Sequence, residues 1–175
     1  EKSNPFSSLD WPRHYSDKRR ESFSISELRK LKKFCLEENK LINLICGLIF
    51  DTGCSFKEII GLENEDLILS KYNPHIVIRT NSIRKIHNIY KRRAIPLVGV
   101  SLECFSRLKK CKDKKELFGS YFDKNLQNLK NLEYHINNIL KIKTNGKTVI
   151  SFSVSIIERL KEVGCPENII SEIIG

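Results

Sequence analysis

Residues 67–98 constrain the fold more than any other stretch, because there the apolar residues abandon helical spacing. Leu67-Ile68-Leu69, His75-Ile76-Val77-Ile78-Arg79 and Ala94-Ile95-Pro96-Leu97-Val98 are short β-type runs, with a Tyr72-Asn73-Pro74 turn between the first two. Pro96 has no N–H to donate and favours an edge or a strand end. Helical signals lie on both sides. Ser24 and Glu27 form a capping box, and Leu28, Leu31 and Cys35 continue one apolar face. Residues 40–51 are apolar nearly all round, which places a second helix in the core, closed by Gly53. Ser55 and Glu58 repeat the capping box and open a short helix. Helices resume near Leu102. Leu126, Leu129, Leu132, Ile136 and Leu140 form one stripe, and Phe152, Ile156, Ile157 and Leu160 another that ends at Gly164. Pro166 starts a last short helix. The class is α+β: mainly helical, with a small antiparallel sheet. Leu44, Leu48, Ile60, Leu97, Leu129, Ile136, Ile156, Leu160 and Ile170 are the expected core.

Composition narrows the function. With 40 % hydrophobic residues, eight Gly and five Pro in 175 residues, the chain is globular. Its longest apolar run, residues 41–50, is interrupted by Asn43 and falls short of the ~18–20 residues of a membrane span. The six Cys include no C-x-x-C pair and there are four His, which points to free thiols in a reducing cytosol and to no metal site. Residues 1–22 read as an extended arm or linker and 23–175 as one domain. With no initial Met and no signal-peptide pattern, the chain reads as part of something longer.

Net charge is +10, and residues 71–115 hold 13 basic residues against Glu103 and Asp113. The surplus therefore sits in one region, as in an electrostatic footprint for nucleic acid. Arg84, Lys85, Lys91, Arg92 and Arg93 cluster on the connection between the second and third strands. Lys109, Lys110, Lys112, Lys114 and Lys115 extend the same face. The competing reading is a solvated Lys-rich face in an AT-rich genome.

Three stretches together resemble the tyrosine recombinases, or phage integrases. Residues 52–66, beginning Thr52-Gly53-Cys54-Ser55 and continuing to Glu58, Leu62 and Asp66, look like T-G-x-R-x-x-E-x-x-x-L-x-x-x-D. Residues 76–99 are similar to the integrase hairpin, with Arg84, Ile86, Arg93, Pro96 and Leu97 in register. Residues 147–175 are similar to the H-x-x-R…R-L-x-x-x-G-x-P segment through Arg159, Leu160, Gly164, Pro166, Ile170 and Gly175. The resemblance implies DNA cleavage and rejoining through a tyrosine nucleophile, with Arg and His on the scissile phosphate, a hairpin Lys protonating the leaving oxygen, and no metal or nucleotide cofactor.

Carried over residue by residue, the resemblance puts Ser55 where the family has its first arginine and His87 at the hairpin lysine position. Ile150 and Ser153 fall on the H-x-x-R pair. The segment for the second His and the nucleophilic Tyr lies beyond residue 175. The implication is a degenerate site with no catalytic residues of its own. Ser55 reads first as a helix cap, and Ser153 and Ser155 as capping or surface hydroxyls. Lys85 and a protonated His87 join Arg84, Lys91, Arg92 and Arg93 as DNA-binding candidates. The expected partner is double-stranded DNA, bound weakly and without sequence preference, with self-association on DNA allowed for. No membrane, small-molecule substrate or metal is implied. The expected location is the cytoplasm of a bacterial or phage host, on the nucleoid when DNA-bound. Two other readings stay open: a strand transferase with relocated residues and a Tyr further along the chain, and a non-functional prophage remnant.

Overall fold

A computed structural model describes residues 21–81, 84, 91–110, 117–118 and 126–175. Most of the expected arm, residues 1–20, lies outside the described residues. In chain order the described residues form α1 (Ile25–Glu37), α2 (Leu41–Phe50), α3 (Phe56–Ile60), a 3-10 turn (Asn64–Asp66), β1 (Leu67–Ile68), β2 (His75–Ile78), β3 (Arg93–Pro96), α4 (Gly99–Lys110), α5 (Leu126–Lys143), α6 (Ile150–Glu162) and α7 (Glu167–Ile174).

Both capping boxes form. At α1, the Ser24 hydroxyl accepts the Glu27 amide at 3.3 Å and the Glu27 carboxylate accepts the Ser24 amide at 2.7 Å. At α3, the Ser55 hydroxyl accepts the Glu58 amide at 3.4 Å and the Glu58 carboxylate accepts the Ser55 amide at 2.8 Å. Each box satisfies two helix-end N–H groups that would otherwise lack partners.

The centre of the molecule is α2, buried from Asn43 to Phe50 and packed on α1, α3, α4 and α6. Asn43, which interrupts its apolar run, is accommodated because its side-chain amide donates to the Phe34 carbonyl of α1 at 2.7 Å. A buried amide with a partner costs little, and here it fixes the pairing of the two helices. Gly47 allows α4 to approach: a Cβ there would collide with the Cys104 sulfur. Burial pushes the Cys46 thiol up to about 12 and the Cys104 thiol up to about 11, and raises that of Cys35 as well, so these are packing groups.

The sheet is antiparallel in the order β1-β2-β3, with Ile76 opposite Leu67 and Ile95, and Ile78 opposite Arg93. Leu67, Ile76, Ile78 and Ile95 turn one face into the core. Pro96 ends β3 on an edge strand, where its missing N–H removes no ladder bond. Of the expected core, Leu44, Leu48, Ile60, Leu97, Ile136, Ile156 and Ile170 are buried. Leu129 and Leu160 are half-buried instead. Leu129 lines an open cavity between α3 and α5, and Leu160 sits in the last turns of α6. Ser155 is also not the surface hydroxyl expected. It is buried, donates to the Ser151 carbonyl at 2.8 Å, and accepts the Phe23 amide at 2.7 Å, tying the start of the domain to α6.

Candidate functional site

The turn at residues 51–55 joins α2 to α3 and organises the site. Gly53 takes φ +67°, a left-handed conformation that favours glycine. Asp51, at the end of α2, accepts the Val100 amide at 2.9 Å and pairs with Arg159 at 3.1 Å, so the turn is held to α4 and α6. From α6 the Ser153 hydroxyl donates to the Gly53 carbonyl at 3.0 Å. Gly53 is two residues before Ser55, so two of the positions that the sequence resemblance selects, 55 and 153, meet at one turn. Ile150 lies three residues before Ser153 on the same side of α6 and is exposed. His87 and Lys85 lie outside the described residues, as does the rest of 85–90. Lys112, Lys114 and Lys115 lie outside them too.

The rim groups are already engaged with the protein. Besides capping α3, the Ser55 hydroxyl donates to the Glu58 carboxylate at 2.9 Å. Ile150 carries no polar atom on its side chain. Beneath the rim is an ionic layer. Arg93, with a side chain 5 % exposed, donates from Nη1 to Glu58 at 2.7 Å and to the Lys91 carbonyl at 3.1 Å. Its Nε donates to the Ile173 carbonyl of α7 at 2.8 Å, and its Nη2 is buried with no partner. Arg84 donates from Nη1 to the Glu58 carbonyl at 2.7 Å, and from Nε and Nη2 to the Arg79 carbonyl at 3.1 and 2.9 Å. Its Nη2 lies 3.8 Å from the fully buried Asp66, which also takes Arg79 Nε at 2.6 Å.

Burial opposes ionisation of Glu58. The hydrogen bonds from Arg93 and Ser55 outweigh it and hold the carboxyl below its ordinary value. For Arg84, burial is the stronger influence and lowers the guanidinium, against the attraction of Asp66 and Glu58. Burial pushes the Cys54 thiol, next to Ser55, up to about 12, so it is not a nucleophile at neutral pH.

Of the DNA-binding candidates that are described, Lys91 and Arg92 are exposed, while Arg84 and Arg93 are turned inward onto protein acceptors. The inward course of Arg93 has a sequence signal. It lies two residues before the buried Ile95 on one strand, and residues two apart share a face. Among the described residues there is no cluster of three or more His, Cys, Asp or Glu able to hold a metal, and no helix long and apolar enough to cross a membrane.

This arrangement of helices around a three-stranded sheet, with the turn at 51–55 facing α6, is the fold of the tyrosine-recombinase catalytic domain. Solved structures show it directly. XerA recombinase superposes with a TM-score of 0.69 at 18 % identity, over 88 % of this chain and 55 % of that one. The Tn1549 transposon integrase, in complex with a circular intermediate DNA, gives 0.64 at 13 % identity over 95 % of this chain and 60 % of the other. The same integrase with transposon right end DNA gives 0.59 at 15 % identity, over 89 % and 57 %. The chain thus spans little more than half the length of these structures. No family model and no curated protein matches it.

Proposed function

We propose that the chain is a degenerate phage-integrase type domain that binds duplex DNA without cutting it. The supporting observation is the charge arrangement at the turn of residues 51–55. Among the described residues the rim offers two hydroxyls and an aliphatic side chain, while the arginines below it face Glu58 and Asp66. Phosphoryl transfer depends on preorganised donors aimed at the charge that develops on the phosphate oxygens. A serine supplies one neutral donor where an arginine supplies a charged bidentate fork, and the Ser55 and Ser153 hydroxyls already donate to Glu58 and Gly53. Loss of one preorganised donor costs on the order of 10²–10³ in rate, and several positions are altered together.

DNA as partner is supported by the integrase neighbours, which were solved as DNA complexes. Lys91 and Arg92, with Lys85 and His87 from the same connection, contact phosphates. Arg84 and Arg93 anchor that connection to the body. Binding of this kind is weak and sequence-independent, with Kd roughly 10⁻⁴–10⁻⁶ M at physiological salt. Self-association would then occur on DNA, in the nucleoid of a bacterial cytoplasm. The test is duplex binding across a salt series. Lys91→Ala with Arg92→Ala should weaken binding and reduce the salt slope by about one unit for each phosphate no longer neutralised. A parent chain that fails to bind at about 50 mM salt would sink the reading.

A further inference from the structure

A second dense run of cations among the described residues lies outside the 71–115 window. Arg29, Lys30, Lys32 and Lys33 fill four of five consecutive positions of α1, and all four are exposed. At about 100° per residue they spread over the half of the helix opposite Leu31 and Cys35, which are buried. Of the neighbouring acids, Glu27 and Glu38 are engaged elsewhere, and the exposed Glu37, four residues after Lys33, stands outside ion-pair distance of it. Glu27 pairs with Lys147 at 2.6 Å, and Glu38 pairs with Lys40 at 2.6 Å. Burial opposes ionisation of Glu27, but the bonds from Lys147, Ser24 and Asn145 outweigh it and hold the carboxyl low. Among the described residues no carboxylate reaches the four cations within ion-pair distance. The end of α5 adds a fifth cation, because Lys143 lies 4.5 Å from the centre of the Phe34 ring on α1.

We propose that this outward face of α1, with Lys143, is a second contact surface for the phosphate backbone of duplex DNA, separate from the strand connection. It rests on the DNA-binding reading above. A protein partner would need a desolvated apolar centre, and a membrane would need apolar residues along the same face. The exposed large hydrophobics on these two helix segments are single residues, Ile25 at the first helical position of α1 and Ile142 beside Lys143. Five cations with no apolar core fit a phosphate backbone, where counterion release supplies the affinity. The two surfaces stand on different elements: α1 packs on α2, α4 and α5, whereas β3 packs on β2 and α7.

The test is fluorescence anisotropy of the whole chain with a mixed-sequence duplex between about 50 and 200 mM salt. Lys30→Gln with Lys33→Gln is compared with Lys130→Gln plus Lys161→Gln, which removes equal charge from exposed positions outside both surfaces, and with Lys91→Gln plus Arg92→Gln. Gln matches Lys closely in helix propensity, so unchanged thermal melting confirms that the α1 variant is folded. The expected result is a salt slope about 2 units shallower for the α1 pair, at ~0.9 per phosphate, with the charge control unchanged. If the α1 pair behaves like the control while the Lys91/Arg92 pair still flattens the slope, the α1 surface is overturned and DNA binding stands. If the parent does not bind, both fall.

Discussion

At the rim of the site, Ser55, Ile150 and Ser153 are small or apolar, and the two serines satisfy themselves on a helix cap and a backbone carbonyl. Directly below, Arg84, Arg93, Glu58 and Asp66 are charged, buried or half-buried, and bonded to one another and to backbone carbonyls of α3 and α7. The two layers share Glu58, whose carboxylate takes the Ser55 groups on one side and Arg93 on the other. The contrast shows that holding a recombinase fold and holding a phosphate need different electrostatics. The fold requires cations whose charge is cancelled inside the protein. A phosphate site requires cations left uncancelled and facing solvent.

The lower layer should be the more sensitive. Arg93→Met strands the Glu58 carboxylate and the Ile173 carbonyl, and is expected to cost about 3–5 kcal/mol in denaturant melts. Adding Glu58→Gln should recover a large part of that loss, because a buried pair removed together leaves no unpaired charge. If the double variant is no more stable than Arg93→Met, the pair does not work as a unit. Leu48→Ala in the core of α2 is the benchmark for ordinary packing, at about 2–5 kcal/mol.

The rim should give smaller effects. Ser55→Ala removes a cap and is expected to cost about 1 kcal/mol, and Ser153→Ala one neutral hydrogen bond, about 0.5–1.5 kcal/mol. A rim substitution that costs as much as Arg93→Met would break the distinction. The pH response is sharper still as a signature. Glu58 and Glu27 have folded values held below the ordinary 4.5, Glu27 at about 2. Their contribution to stability is therefore full above that ordinary value and is lost as pH falls towards the folded value. In Glu58→Gln the acid limb of the stability profile should flatten. An unchanged limb would mean that Glu58 carries no such linkage.

Local patterns in the sequence announced the helix starts and the sheet. The Ser24 and Ser55 boxes need only four residues each, and the period change after residue 67 marks the strands. The contacts that could not be read there are long-range. The Phe23–Ser155 bond joins residues 132 apart, and Arg93 reaches Ile173 across 80. A cluster of basic letters also does not reveal which guanidinium groups turn inward. Only the strand alternation at Arg93 and Ile95 carried that signal, and it concerns one of the two arginines. The cations of α1 were hidden in the net-charge count by Glu27, Glu37 and Glu38, which lie close to them in sequence. Two of these acids, Glu27 and Glu38, are paired elsewhere.

The proposal that joins these points is that the domain, which has the recombinase fold, does not cut DNA. Incubation with nicked suicide duplexes, followed by denaturing electrophoresis and mass spectrometry, tests it most directly. The expected result is salt-sensitive, reversible binding with no covalent protein–DNA species. A phosphotyrosyl adduct on any of Tyr15, Tyr72, Tyr90, Tyr121 or Tyr134 would contradict it.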